Sequence, residues 1–294
     1  MSLTIAIPTY RRGTIVVETI ERLLALPTRA DAILIVDQTS DHPAEVTARL
    51  NAWHEAKAID WIRLPQPSIP GAMNYALRAA ATDLVLYLDD DIIPNSDLVA
   101  EHTRAHASHD VAAVVGQILQ PGEMPEPIER TSDRDLDFPF HSTIGRRVAN
   151  VMAGNLSVDR AAAIRIGGFD ENFIAAAYRF ETDFAWRLLA AGRSIWYEPA
   201  ASIHHLKAST GGLRTWGDHL RSASPAHSVG DYYLALVHFP RGGVLRHVAR
   251  RLRQTLLTRF DLTHPWWIPL KAVRETRALV QALRLKRRGR RLLA

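Results

Sequence analysis

Apolar positions along this chain alternate between two spacings. Leu3-Thr4-Ile5-Ala6-Ile7 reads as a strand stopped by Pro8-Thr9, and Val16, Ile20, Leu23 and Leu24 then recur at helical intervals. Ala32–Val36 is a continuous apolar run closing on Asp37-Gln38-Thr39-Ser40-Asp41, and Pro43 suits the first turn of a helix reaching about Lys57. Ile59–Leu64 predicts a third strand, followed by the turn-rich Pro65–Gly71 and a helix through Ala81. Leu84–Leu88 predicts a fourth strand and Val111–Leu119 a fifth. Buried strands alternating with helices indicate a mostly parallel sheet covered on both faces. Ligands of such sheets bind beyond the carboxyl ends of the strands.

Polar residues gather at that edge: Pro8-Thr9-Tyr10-Arg11-Arg12 after the first strand, Asp37 after the second, and Asp89-Asp90-Asp91 after the fourth. No apolar face accepts three adjacent carboxylates without counter-charge, and hard oxygen ligands suit Mg²⁺ or Mn²⁺. A solvated acidic loop before a helix would explain the triplet alone. It gives no reason for three polar clusters on one edge. Residues 120–150 carry prolines and charges without a period, as a long loop or lid does. Val151–Val158 then leads into a helix from Asp159, Gly167–Glu171 forms a turn, and Phe180–Leu189 opens a helix with Glu181 and Asp183 in its first turn. Acids there also complement the helix dipole. Ser194–Tyr197 is a short strand, after which come His204-His205, Gly211-Gly212 and Arg214.

The chain has 294 residues, 47% hydrophobic and 23% charged, which is globular material. It has no cysteine, so disulfides, thiolate metal sites and a cysteine nucleophile are excluded. The opening MSLTIAIPTYRR lacks a basic leader with an apolar core, so no secretory signal is expected, and no apolar run approaches a membrane span. The net charge of +5 is uneven: residues 241–294 hold 15 Lys/Arg against Asp261 and Glu275, leaving about −8 for the rest. Arg246, Arg250 and Arg253 recur at helical spacing while Leu245, Val248, Leu252, Leu256 and Leu257 form the other side, with Trp266-Trp267 nearby. This is the pattern of an amphipathic cationic helix at an anionic membrane surface, released by high salt or by truncation after about Asp231. Packing of these helices on the rest of the chain is the competing expectation. Nucleic acid is not an expected partner, because no reading module accompanies the charge.

Eight short stretches occur in order: IPTYRR at 7–12, VDQTSD at 36–41, PSIPGAMNYALRAA at 67–80, LYLDDDIIP at 86–94, AGNLSVDR at 153–160, GGFDENF at 167–173, ETDFAWRLLAAG at 181–192 and HHLKASTGGLR at 204–214. Over residues 3–215 the chain resembles the inverting family 2 glycosyltransferases of the GT-A fold. The resemblance implies an α/β Rossmann-like domain over 1–225, followed by a basic helical extension over 226–294. It implies transfer of a sugar from a UDP-, dTDP- or GDP-linked donor to a hydroxyl of a lipid-linked or glycan acceptor, and the basic tail adds the expectation of a peripheral place on the inner face of the plasma membrane. In that pattern Asp37 holds the nucleobase, and Pro8, Thr9, Tyr10, Arg12, Ser68 and Asn74 line the donor pocket. Asp89 and Asp91 meet Mn²⁺ or Mg²⁺ and the diphosphate, with Asp90 near the ribose or sugar. Glu181 matches the catalytic base and Asp183 the second acid of its motif. His205 completes the metal site, with His204 as the other possibility, and Trp216, Asp218 and His219 fall on the acceptor side. Two positions depart from the family: Met73 stands where an arginine is usual, and Phe180 replaces the first acid of a pair. A silent sugar-nucleotide-binding subunit and a sugar-phosphate nucleotidyltransferase are the alternative functions. The second needs a glycine-rich phosphate loop that PTYRRG does not provide.

Overall fold

The computed structural model describes residues 1–129, 138–214 and 222–293. The amino-terminal half follows the expected alternation: β1 (Leu3–Thr9), α1 (Thr14–Leu24), β2 (Ala32–Asp37), α2 (Ala44–Glu55), β3 (Asp60–Arg63), α3 (Ile69–Ala79) and β4 (Leu84–Leu88). Every residue of β4 is buried, which is why its apolar run is unbroken. A short β5 (Ile92–Pro94), α4 (Leu98–Ser108) and β6 (Ala113–Leu119) follow. The remainder comprises β7 (Arg146–Arg147), β8 (Asn155–Asp159), α5 (Arg160–Arg165), α6 (Phe180–Ala190), β9 (Ile195–His205), α7 (Val229–His238), α8 (Arg241–Leu256), α9 (Arg259–Thr263), a 3₁₀ turn (Pro265–Trp267) and α10 (Ile268–Arg288).

The sheet runs in the order β3-β2-β1-β4-β8-β6-β9-β5, with β7 beside β9. It is parallel from β3 to β4, as expected, and mixed beyond. The strand β8 enters antiparallel between β4 and β6, and β5 and β7 both run antiparallel to β9. The expected fold class stands, and the antiparallel entry of β8 is the part of the topology that the sequence did not predict. The buried Asn155–Val158 run alternates polar and apolar residues alike in either direction, so composition does not report strand polarity. A second difference is β9, which runs for 11 residues from Ile195 to His205, well past the expected end at Tyr197. A register shift between Gly116 and Gln117 on β6 lets it pass Pro199.

Among the described residues one large apolar core runs through the molecule, with a small second cluster at Ala105, Val111 and Val114. Phe169 stacks on Phe184 at 4.3 Å and meets Tyr87 edge-on at 5.5 Å, fixing the start of α6 under β4. The tail joins the same core. Tyr232, Tyr233 and Leu234 of α7 and Ala278 and Ala282 of α10 are all buried in it. Beyond α10 the chain doubles back: Glu171 N–H donates to Arg291 O, and Leu293 N–H to Gly167 O. Among the described residues no helix is long and apolar enough to cross a membrane.

Candidate active site

The carboxyl end of β4 opens into a cavity of about 350 Å³. Its walls include Pro8, Thr9, Tyr10 and Arg12 from the end of β1, Asp89 and Asp90 after β4, Glu181 from α6, His205 from β9, and Arg214. The antiparallel pairing of β5 with β9 sets Ile92 opposite His205, and Leu206 N–H donates to Asp91 O at 2.8 Å. That register delivers the imidazole to the acid triplet, while His204 faces the other way and is exposed.

One ligand atom from each of Asp89, Asp91 and His205 lies within 4.8 Å of the others, a spacing that a single metal ion spans. His205 Nε2 is 3.2 Å from Asp91 Oδ1 and 3.7 Å from Asp89 Oδ2. Its Nδ1 donates to Gln120 Oε1 at 2.9 Å, which orients the ring with Nε2 toward the carboxylates. Asp91 Oδ2 accepts from Ala208 N–H at 2.8 Å, whereas the buried Oδ1 accepts no well-directed hydrogen bond. A buried carboxylate oxygen left in this way calls for a cation. Burial works against a proton on His205, yet Asp91 and Asp89 outweigh it and raise its pKa, the same demand for positive charge. Two oxygens and an imidazole nitrogen fit Mn²⁺ or Mg²⁺ with positions left for phosphate. Gly154 is required at the back of the site. A Cβ there would lie 2.4 Å from Asp89 Oδ2.

Asp90 is buried, and desolvation pushes its carboxyl up to about 6 although Arg12 opposes this. Arg12 Nε donates to Asp90 Oδ1 at 2.8 Å, and its Nη1 reaches Ala208 O and Thr210 O. The arginine thus ties the end of β1 to the acid triplet and to the loop after β9. Glu181 is 9% exposed, and its Oε1 accepts from Arg214 Nη2 at 3.0 Å. Arg214 lies over Tyr178 and Phe180 and also donates to Ala176 O.

A second cavity of about 440 Å³ adjoins the first, and the two share Met152, Tyr178, Glu181 and Arg214. Its far wall is formed by Phe138, Phe140, Asn150, His227, Asp231 and Arg251. Glu181 therefore stands in the wall between two openings.

Five expected site residues do not line the first cavity: Asp91, which sits behind it against His205 and the Ala208 N–H, and four others, each with a physical reason. Asp37 is fully buried, with Oδ1 accepting from Thr39 N–H at 2.8 Å and Oδ2 from Trp61 Nε1 at 2.9 Å while sitting 2.6 Å from His42 Nε2. Its neighbour Gln38 lines the cavity in its place. Ser68 caps α3 by accepting from Gly71 N–H. Asn74 spans to the backbone of Phe169, donating to its carbonyl and accepting from its N–H, both at 2.8 Å. Asp183 points away from Glu181, toward Arg187, His238 and Arg290. Trp216, Asp218 and His219 lie outside the described residues. Sequence reasoning assigned no role to Gln38, Gly154, Tyr178 or Arg214. Arg214 ends the HHLKASTGGLR stretch, and that is the only signal it carries locally.

Fold and site together are those of the GT-A class: an α/β sheet with an Asp-Asp-His cluster at the carboxyl end of its fourth strand. The model of glycosyl transferase family 2 matches residues 4–167, more than half of the chain, and the chain belongs to that family. Pre-mycofactocin glycosyltransferases of two Mycobacterium tuberculosis strains are 27% identical over 219 residues, 71% of this chain. The match spans 45% of their length, so the chain covers about half of these curated relatives. Among solved structures, GalNAc-T7 with UDP, GalNAc and Mn²⁺ superposes with a TM-score of 0.66 at 12% identity, over 92% of this chain and 56% of that one. TarS of S. aureus, residues 1–349 with UDP-GlcNAc, gives 0.62 at 12% identity over 98% and 92%. A mannosyltransferase from Pyrobaculum calidifontis with GDP-Man and Mn²⁺ gives 0.54 at 18% identity over 98% and 79%. At these identities the structures speak for the fold.

Proposed function

We propose that the chain moves a sugar from a nucleoside-diphosphate sugar to the hydroxyl of a lipid-linked or glycan acceptor, with inversion at the anomeric carbon and Glu181 as general base. The observation that carries this reading is the position of Glu181 in the wall shared by two cavities, one of which holds the acid-histidine cluster. The donor occupies the first cavity, with its diphosphate toward Asp89, Asp91 and His205, and the acceptor enters through the second. The neighbours' UDP, GDP-Man and Mn²⁺ support a nucleotide sugar with a divalent ion as its class.

Bound by Asp89, Asp91 and His205, the ion supplies charge stabilisation to the leaving diphosphate. Arg214 holds Glu181 by Oε1 and leaves the other oxygen for the acceptor hydroxyl. As that hydroxyl oxygen bonds to the anomeric carbon, its proton passes to Glu181. The old anomeric carbon–oxygen bond breaks, and its electron pair goes to the β-phosphate. Arg12 and Lys207 add positive charge to the cavity wall. Met73 keeps an apolar side chain where the family carries a cation, so the donor is met there by packing.

General-base assistance is worth about 10²–10⁴-fold, so Glu181→Gln should lose that much transfer while donor binding persists. Thermal-shift titration with nucleotide sugars and Mn²⁺ reads the binding, and release of nucleoside diphosphate reads turnover. A fully active Glu181→Gln enzyme would overturn the assignment.

A further inference from the structure

The carboxy-terminal helices show on their surface what the cavities do not use. On α8 the residues Leu245, Arg246, Ala249, Arg250 and Arg253 are exposed, and their spacing places them on one stripe of the helix, so Leu245 falls beside the arginines and not, as expected, opposite them. His247 is buried and Arg251 half-buried on the opposite side, pairing with Asp231 and, through Arg251, with Glu275. Exposed apolar and basic side chains continue past the helix. Leu257, Leu262 and Trp266 are 67%, 77% and 65% exposed, as large a fraction as Leu245 at 71%, and Arg259 is exposed among them.

The charge of this surface has one sign. The sole acid between residues 241 and 267 is Asp261, which is buried against Lys271. Among the described residues no acid pairs with Arg241, Arg246, Arg253 or Arg259. Arg246 and Arg250 also border a groove of about 760 Å³ whose other walls include Trp186, Leu189, Phe239 and Pro240, so cations sit next to apolar surface there too.

We infer that this face, from α8 to Trp266, docks on an anionic phospholipid surface. Charge complementarity selects the occupant. A soluble acidic partner or a nucleic acid would satisfy the arginines but would leave four large apolar side chains in contact with phosphate and water. A lipid interface takes both, with guanidinium groups at the headgroups and Leu245, Leu257, Leu262 and Trp266 at the acyl boundary. The partner with that chemistry is the inner face of a plasma membrane. The inference stands apart from the sugar-transfer reading, since none of these residues lines either of the two cavities around Glu181.

Because α7 and α10 belong to the core, removal of the tail after Asp231 would unfold the protein, and surface substitutions replace that truncation. The full chain is sedimented with vesicles of phosphatidylcholine alone or mixed with phosphatidylglycerol. Binding should require the anionic lipid and weaken between about 0.1 M and about 1 M salt, as the screening length falls from about 10 Å to about 3 Å. Arg246→Gln with Arg253→Gln should weaken it about 25-fold, about fivefold for each charge removed. Leu257→Ser with Trp266→Ser should also weaken vesicle binding while leaving heparin binding unchanged. Circular dichroism and donor-induced thermal shift confirm that each variant is folded. No binding to the mixed vesicles, or binding indifferent to the arginine substitutions, would overturn the inference. Equal binding of vesicles by the Leu257/Trp266 variant, with RNA displacing the lipid, would reassign the face to nucleic acid and overturn it as well.

Discussion

Replacing Gly154 by alanine tests the metal cluster without substituting any of its ligands. Gly154 is not among the glycines at positive φ, so alanine suits its backbone. The new Cβ would lie 2.4 Å from Asp89 Oδ2 and 2.8 Å from its Cγ. Ordinary contact begins near 3.4 Å, so the carboxylate must retreat by about 1 Å. Asp89 can do so, because its side chain is 49% exposed and free to rotate into the cavity. The fold should therefore keep its stability to within about 0.5 kcal/mol. Metal coordination tolerates only about 0.2 Å, and a misplacement of about 1 Å at a reacting centre costs about 10²-fold. Calorimetric titration should show Mn²⁺ affinity reduced about 10- to 100-fold at an unchanged melting temperature, with donor hydrolysis falling in step. Gly116→Ala is the contrast: its Cβ would meet the Ala201 carbonyl at 2.1 Å, backbone that cannot step aside, and the variant should unfold. Gly154→Ala with the parent's Mn²⁺ affinity would refute the placement of Asp89 in the metal site.

Asp37→Asn should destabilise the protein by about 2–4 kcal/mol, because an amide N–H₂ would face groups that donate to the buried carboxylate, and an unshifted urea midpoint would refute this. Burial would raise Asp183, but His238, Arg187 and Arg290 hold it down at about 2, below its ordinary 3.8. Its roughly 2 kcal/mol of stabilisation is complete above about pH 4 and lost as the pH falls to about 2, so Arg290→Ala should flatten urea stability between about pH 5 and pH 3. Burial lowers His102 to about 3 and His106 to about 4, so below about 6.5 the unfolded chain takes up protons that the folded one refuses. Stability should fall by about 1.4 kcal/mol per pH unit for each as the pH drops toward 4, and His106→Gln should remove one share of that slope in denaturation curves. Arg214→Met should lower turnover at least tenfold, more than it weakens donor binding, since it frees Glu181 Oε1 but also removes a cation from the first cavity's wall; unchanged turnover would refute the role.

The Asp183 result shows where sequence reasoning stops. Both Glu181 and Asp183 belong to the first turn of α6, and their spacing, two residues apart, puts them on different sides of the helix. Which side meets the cavity depends on what covers the other, and the cover arrives with Arg290, 107 residues away. Asp37 is similar: it ends β2 as expected, but His42 and Trp61 occupy it before a ligand could.

By itself the sequence determined the strand–helix alternation from β1 to β4, the acid triplet at a strand end, the acids opening α6 and the charge excess of the tail. These follow from local periodicity and composition, which record whether each position meets apolar core or water. Only the tertiary structure decided the antiparallel entry of β8, the β5–β9 register that brings His205 to Asp91, the closure of Asp89 against Gly154, and the burial of α7 and α10 in the core. Each of these is a pairing between segments distant along the chain. A strand has the same two-residue period in every register and direction, so the choice among them is made by packing and by the charges that must be matched inside.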